Sequence, residues 1–168
     1  MKKIAKAKLF EIIQIWKIRK IASNHLKLKN VDQWQLKDPS FCAFLKDIIF
    51  KRLYVLKEEK EILGVMMLHT KEDTYNEIEG SWSKDSDFIV VHKLAVKETN
   101  KGYGKLLLKY VEEIAKLNKI NYIRIDTHEA NENMKNLLVK LNYKYRGIIY
   151  LTIKKGENKR IAYDKEVE

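Results

Sequence analysis

The chain has 168 residues, 45% of them hydrophobic, with six Gly and one Pro, which suffices for one domain around a single core and excludes a disordered or linker-rich chain. No apolar run approaches the ~20 residues that cross a bilayer, so no membrane partner is expected. The formal charge of +11 comes mainly from scattered lysines, with only Arg19, Arg52, Arg124, Arg146 and Arg160 as arginine; nucleic-acid readers lean on arginine forks and stacked aromatics, so no nucleic-acid partner is expected.

The N-terminus MKKIAKAKLFEII opens like a signal peptide, but Lys6, Lys8 and Glu11 break the apolar stretch and no small-residue cleavage site follows, so the expectation is a cytoplasmic protein. Lys3–Ala7 reads as a strand and the following residues to about His25 as a helix. Leu9, Ile12, Ile13 and Trp16 form its apolar stripe, with Ile15, Ile18 and Ala22 as an adjoining column. The extended VDQWQLKDPS precedes a helix over Ser40–Lys51. The single cysteine, Cys42, excludes an internal disulfide and reads as a small core residue between Phe41 and Phe44. Leu53–Leu56 and Ile62–His69 read as a hairpin, and residues 70–86 as a polar loop with room for a short strand. Then come a strand (Phe88–Val96), a turn (Thr99–Gly104), a helix (Leu106–Leu117), a strand (Tyr122–Thr127), a helix (Asn131–Asn142), and strands at Tyr145–Ile153 and Ile161–Tyr163. Hairpins in the first half and crossovers in the second predict one α/β domain over residues 1–168, with a mixed sheet covered by helices on both faces.

The sharpest local feature is FIVVHKLAV, KETNKGYG and KLLLKYVEEIAKL in succession: a strand, a Gly-x-Gly turn and an amphipathic helix. Free amides at a helix start, aided by the helix dipole, bind anions. The turn is no Walker loop, because Leu106 follows Gly104-Lys105 and Thr99 stands at the first glycine. Nor is it a dinucleotide fingerprint, because Leu107 fills the third glycine position.

HKLAV, NKGYGKLLL and IRIDTHEANENMKNLLVKLNYKY together resemble the core of the GNAT acetyltransferase superfamily. The resemblance covers Phe88 to Leu151 and extends more loosely through DQWQ at Asp32–Gln35, IEGSW at Ile78–Trp82 and GIIYL at Gly147–Leu151. It is strongest to small bacterial members. It implies the GNAT fold: a mixed, mostly antiparallel sheet with two splayed parallel strands, flanked by about four helices. It implies acetyl-CoA as cofactor and transfer of an acetyl group to a primary amine of a small molecule or a protein, in a monomer or homodimer. The pantetheine arm would lie between Phe88–Val96 and Tyr122–His128, against the backbone of Leu94, Ala95 and Val96. The pyrophosphate would rest on the turn of Thr99, Asn100, Lys101, Gly102, Tyr103, Gly104 and Lys105, on amides from Lys101 to Leu106. The family turn, Arg/Gln-Gly-x-Gly-x-Gly/Ala, fits in two registers. The gapless one turns Lys105 and Lys109 toward the core; one two residues shorter turns Leu107 and Val111 inward instead, and is preferred because buried unpaired ammonium groups are costly.

The resemblance also assigns chemistry. His92, four residues before Val96, is the expected base, with a ring that titrates near neutrality. The helix tyrosine that serves as acid elsewhere in the family is Leu138 here, which leaves His128 and Tyr143 as candidates. Asn131 is expected to cap the last helix and to contact the pantetheine region, with Lys135 and Lys140 near the nucleotide phosphate. Asp32, Trp34, Glu77, Glu79 and Trp82 are expected to line the acceptor side, where carboxylates and indoles suit a cationic amine. No metal site is expected. Two other readings stand beside this one: a module that holds CoA without catalysis, and a basic RNA-associated domain.

Overall fold

The computed structural model describes residues 1–36, 38–152 and 156–168. Its strands are β1 (Lys2–Lys6), β2 (Leu53–Glu58), β3 (Glu61–His69), β4 (Glu79–Gly80), β5 (Ile89–Val96), β6 (Tyr122–Thr127), β7 (Lys144–Tyr150) and β8 (Lys159–Glu166). They form one eight-stranded sheet in the order β1-β2-β3-β5-β6-β8-β7-β4. Only β5 and β6 pair in parallel among the described residues; every other pairing is antiparallel. The strand expected to run to Ile153 ends at Tyr150, and Ile153 lies outside the described residues.

The helices are α1 (Ile12–Leu28), α2 (Phe41–Ile49), α3 (Tyr103–Leu117) and α4 (Glu132–Lys140). Helices α1 and α2 cover one face through Ile15, Ile18, Phe44 and Ile48, packed on Leu53, Val55, Val65 and Ala95. Helices α3 and α4 cover the other through Leu107, Leu108, Val111 and Leu138, packed on Met66, Val91, Ile123 and Ile125. The buried face of α1 is thus the Ile15–Ile18 column, while Leu9 and Ile13 are 59% and 58% exposed. Cys42 also corrects its expectation: it is exposed on the outer side of α2. Among the described residues, no helix is long and apolar enough to cross a membrane.

Two connections are held by buried polar groups. The segment after α1 is pinned at the Trp34 carbonyl, which accepts from Arg19 Nη2 (2.8 Å) and Ser23 Oγ (2.9 Å). The segment before β5 is pinned at Asp164 of β8, which accepts from Ser83 N (3.0 Å), Ser83 Oγ (2.9 Å) and Arg146 Nε (2.7 Å), and from the Tyr122 hydroxyl. A buried carbonyl or carboxylate needs such donors, because an unmet acceptor carries its full desolvation cost.

Candidate active site

The site begins where the sheet comes apart. Parallel pairing of β5 with β6 stops at Val91–Ile125, although β5 continues to Val96 and stays paired with β3 on its other side. A bulge bends the strand there: Met67 faces His92 and Val65 faces Ala95, so Lys93 and Leu94 together oppose Met66, and Lys93 takes a left-handed φ of 53°. A bulge redirects a strand and shifts its alternation. Ile89 and Val91 face α3 before it and Leu94 and Val96 face that side after it, so His92 and Lys93 both face the α1–α2 side. The β6-facing edge of Leu94–Val96 is left without a strand partner among the described residues.

A cavity of about 280 Å³ occupies the gap. Its wall includes Val91, Leu94, Thr127 and Met134 from the α3–α4 face and Trp34, Met67, His92 and Asp126 from the α1–α2 face, so the opening passes through the sheet. Thr127 is buried in this wall and its Oγ1 has no hydrogen-bond partner among the described residues. Asn131 lies in the same wall; it caps α4 by accepting from Met134 N (3.2 Å) and donates from Nδ2 to Gln33 Oε1 (2.9 Å).

Beyond the split, Gly102 caps α3 with φ 76°, a left-handed backbone shape that glycine adopts at no steric cost. The helix therefore starts at Tyr103, earlier than the expected Leu106. The Leu106 amide bonds Gly102 O at 3.1 Å, so it is taken by the helix and leaves the anion-binding set. The amides of Tyr103, Gly104 and Lys105 have no intrahelical partner, and no acidic residue occupies the first turn. Leu107 and Val111 are buried and Lys105 and Lys109 exposed, the burial that the shorter turn requires. Gly104 has a packing role as well: a Cβ there would lie 2.8 Å from Leu137 Cδ2 of α4. Gly102→Val should lower both the melting temperature and the rise in it on adding CoA, because a β-branched residue in this dihedral region strains the turn by about 1–3 kcal/mol; an unchanged CoA-induced rise would separate the turn from binding.

His92 sits among acids. Its Nε2 lies 2.8 Å from Glu72 Oε2 and its Nδ1 3.7 Å from Asp126 Oδ2. The Tyr75 hydroxyl donates to Asp126 Oδ2 at 2.7 Å, and Glu72 Oε1 accepts from Thr74 N and Oγ1. Burial alone would push the imidazole pKa down, but the hydrogen bond to Glu72 and the charges of Asp126 and Glu72 outweigh it and raise it above 6.5. The same hydrogen bond holds Glu72 down at about 2 against the opposing effect of burial. Lys93 pairs with buried Asp47 of α2.

Other expected residues fall elsewhere. His128 is buried with both nitrogens engaged, Nε2 with Glu157 Oε2 (3.0 Å) and Nδ1 with Ala130 N (3.1 Å), and is absent from the cavity wall. Tyr143 lies in the α3–α4 core under Lys165, with its hydroxyl unpartnered among the described residues and its pKa pushed far up by burial. Leu138 is fully buried in the same core. Neither His128 nor Tyr143 thus lies in the cavity wall, where the helix tyrosine's counterpart would be needed. Lys135 is engaged by Glu132 and the Glu129 carbonyl. Of the acceptor set, Trp34 lines the cavity. Asp32 instead accepts from Glu157 N at 3.0 Å. Trp82 packs against Tyr75 at a 39° tilt, with ring centroids 5.0 Å apart, and under Arg124. Glu77 is exposed, and Glu79 lies on the edge strand β4 near Tyr150. Glu72 and Tyr75 were not legible, since they sit in a polar loop and its short 3-10 turn (Asp73–Glu77). Asp126 follows from the Val91–Ile125 register, which no local pattern supplies.

A split mixed sheet, a cavity through the split and a helix start with free amides thus lie side by side along β5 and α3. The chain belongs to the acetyltransferase (GNAT) family, whose model matches residues 16–143. No curated protein matches it in sequence. Among solved structures, it resembles a GNAT-family acetyltransferase from Streptococcus agalactiae (28% identity, TM-score 0.86, covering 99% of this chain and 96% of that one). It shares its fold with PaiA N-acetyltransferase from Thermoplasma acidophilum, solved in complex with coenzyme A (15% identity, TM-score 0.75, 99% of each chain). It shares it also with the ribosomal-protein-S18-alanine N-acetyltransferase from Escherichia coli (12% identity, TM-score 0.71, 100% of this chain and 95% of that one). The family uses acetyl-CoA, and the residues here fit it: free amides beside Lys101 and Lys105 for the diphosphate, an unpaired strand edge for the arm, and an orphaned hydroxyl in the wall.

Proposed function

We propose that the protein transfers the acetyl group of acetyl-CoA to a primary amine, on a small molecule or a protein, that is cationic in solution. The observation that carries this reading is the cavity through the β5–β6 split, with His92 and Asp126 in its wall on the α1–α2 face. Acetyl-CoA supplies an activated acyl group. The amides of Gly102–Lys105 hold its diphosphate, and the free edge of Leu94–Val96 orients the arm and offers amide donors to the carbonyl oxygen. Asp126 attracts the ammonium and His92 removes a proton, since only the neutral amine has a lone pair.

Release of free thiol from acetyl-CoA should be measured with an alkyl monoamine, a diamine, a neutral arylamine and a lysine-containing peptide. The reading predicts turnover with at least one cationic amine. The buried Leu138 in place of a helix tyrosine favours a second reading, a CoA-holding module without catalysis. A CoA-induced rise in melting temperature with no turnover across the amines would select it.

A further inference from the structure

Resting on that reading, we propose that Glu72 orients His92 so that Nδ1 is the atom that takes the acceptor's proton, and that Asp126, anchored by Tyr75, seats the acceptor's ammonium in front of it. The two ring nitrogens of His92 meet different partners. Glu72 Oε2 lies 2.8 Å from Nε2, a hydrogen-bond distance. An ionised carboxylate only accepts, so Nε2 carries the hydrogen. A neutral imidazole has one N–H, so the lone pair is on Nδ1. Asp126 Oδ2 is 3.7 Å from Nδ1, beyond a hydrogen bond and about the spacing at which one ammonium can donate to both.

The surrounding contacts make this a built arrangement. Glu72 is fixed through its other oxygen, Oε1, which accepts from Thr74 N (3.2 Å) and Thr74 Oγ1 (2.7 Å). Asp126 is fixed by the Tyr75 hydroxyl at 2.7 Å, and Tyr75 is fully buried with its carbonyl accepting from Trp82 Nε1. Trp82 therefore acts two contacts behind the cavity. The charged and titratable groups around His92 are Glu72 from the segment after β3, Asp126 from β6, Lys93 beside it and His69 of β3. Lys93 pairs with Asp47, which also pairs with Arg52 at 3.2 Å, and Arg160 of β8 stands in the cavity wall with Asp126; at His92 the two carboxylates outweigh burial and the Lys93 charge.

The proton count closes. An acceptor ammonium has three N–H protons. One passes to His92 Nδ1 and on to solvent, which frees the lone pair for attack on the acyl carbon. The carbon–sulfur bond then breaks, sulfur leaves with the electron pair, a second proton ends on the thiol, and the third stays on the amide nitrogen.

The test is Glu72→Gln, which keeps the side chain's shape and its capping oxygen and removes its charge. Nitrogen NMR of the protein alone should show neutral His92 as the Nε2–H tautomer in the wild type. In E72Q the His92 pKa should fall and that tautomer preference weaken. The acid limb of kcat/KM should move to lower pH in step, with kcat down roughly 10-fold or more, as when an orienting partner of a working histidine is lost. Asp126→Asn should raise KM for the alkyl monoamine, leave KM for acetyl-CoA alone, and spare the neutral arylamine. An Nδ1–H tautomer in the wild type, or an E72Q limb that stays in place, would overturn the role of Glu72. Equal KM changes for the monoamine and the arylamine in D126N would overturn the ammonium seat. If H92A keeps the acid limb, the base itself is wrong and the proposal falls with it.

Discussion

His92→Ala should lower kcat/KM for a cationic amine by about 10²–10⁴-fold, the usual worth of a positioned general base. KM for acetyl-CoA should change little, because the diphosphate turn and the strand edge are untouched. The pH dependence gives the sharper reading. Glu72 and Asp126 stabilise the imidazolium and hold the His92 pKa above 6.5. The base form therefore appears only as pH rises through that raised value, and the acid limb of kcat/KM lies above the ordinary histidine range. In His92→Ala that limb should vanish and residual activity should follow the ionisation of the free amine. A variant with the wild-type profile would show that some other group, or water alone, takes the proton.

Asp164→Ala should be the most damaging single change to stability outside the apolar core. Asp164 is 1% exposed and ties three parts of the chain together: Ser83 before β5, Tyr122 of β6 and Arg146 of β7. Its removal orphans those donors and breaks the ion pair with Arg146, at a cost of about 3 kcal/mol, or roughly 6–12 °C in Tm for a domain of this size. Burial by itself would raise the carboxyl pKa, but the Tyr122, Arg146 and Ser83 donors lower it below 3.8. A depressed folded value means that the stabilisation is present above the unfolded pKa and is lost as pH falls through the folded one. Wild type should thus lose its advantage over D164A in acid. A Tm for D164A equal to wild type at pH 7 would contradict this account of the loop anchor.

The elements that were legible are those with a strong local period or punctuation. The hairpin of β2 and β3, the β-branched and aromatic run of β6, and the amphipathic α3 all carry their own pattern. What failed depended on partners far along the chain. Helix α1 has two apolar columns, and only the sheet decides that Ile15 and Ile18 go inward while Leu9 and Ile13 stay out. The start of α3 was placed late because Gly104 disfavours a helix, although its lack of a Cβ is what admits Leu137.

The site divides the same way. His92, the Gly102 turn and the Asn131 cap were readable because they lie on one continuous strand–turn–helix run and at a helix start. The bulge at Lys93 was not, since it arises from the pairing of β3 with β5 and has no signature in HKLAV. Without it, strict alternation would put His92 and Lys93 on opposite faces. Glu72 comes from a loop whose polar composition reads as solvent-exposed, and it meets His92 only after β3 and β5 pair. Trp82 and Glu79 carry residue types suited to an amine site, but one packs behind Tyr75 and the other sits on the edge of the sheet.

The transferase reading requires that β5 and β6 part to admit an acyl-CoA whose diphosphate rests on the start of α3. A crystal structure of the protein with CoA tests it most directly. The diphosphate should lie on the amides of Gly102–Lys105, the arm along Leu94–Val96, and the sulfur end in the cavity near His92. Clear density for CoA at another surface, with the β5–β6 gap closed and the Gly102 turn bare, would contradict it.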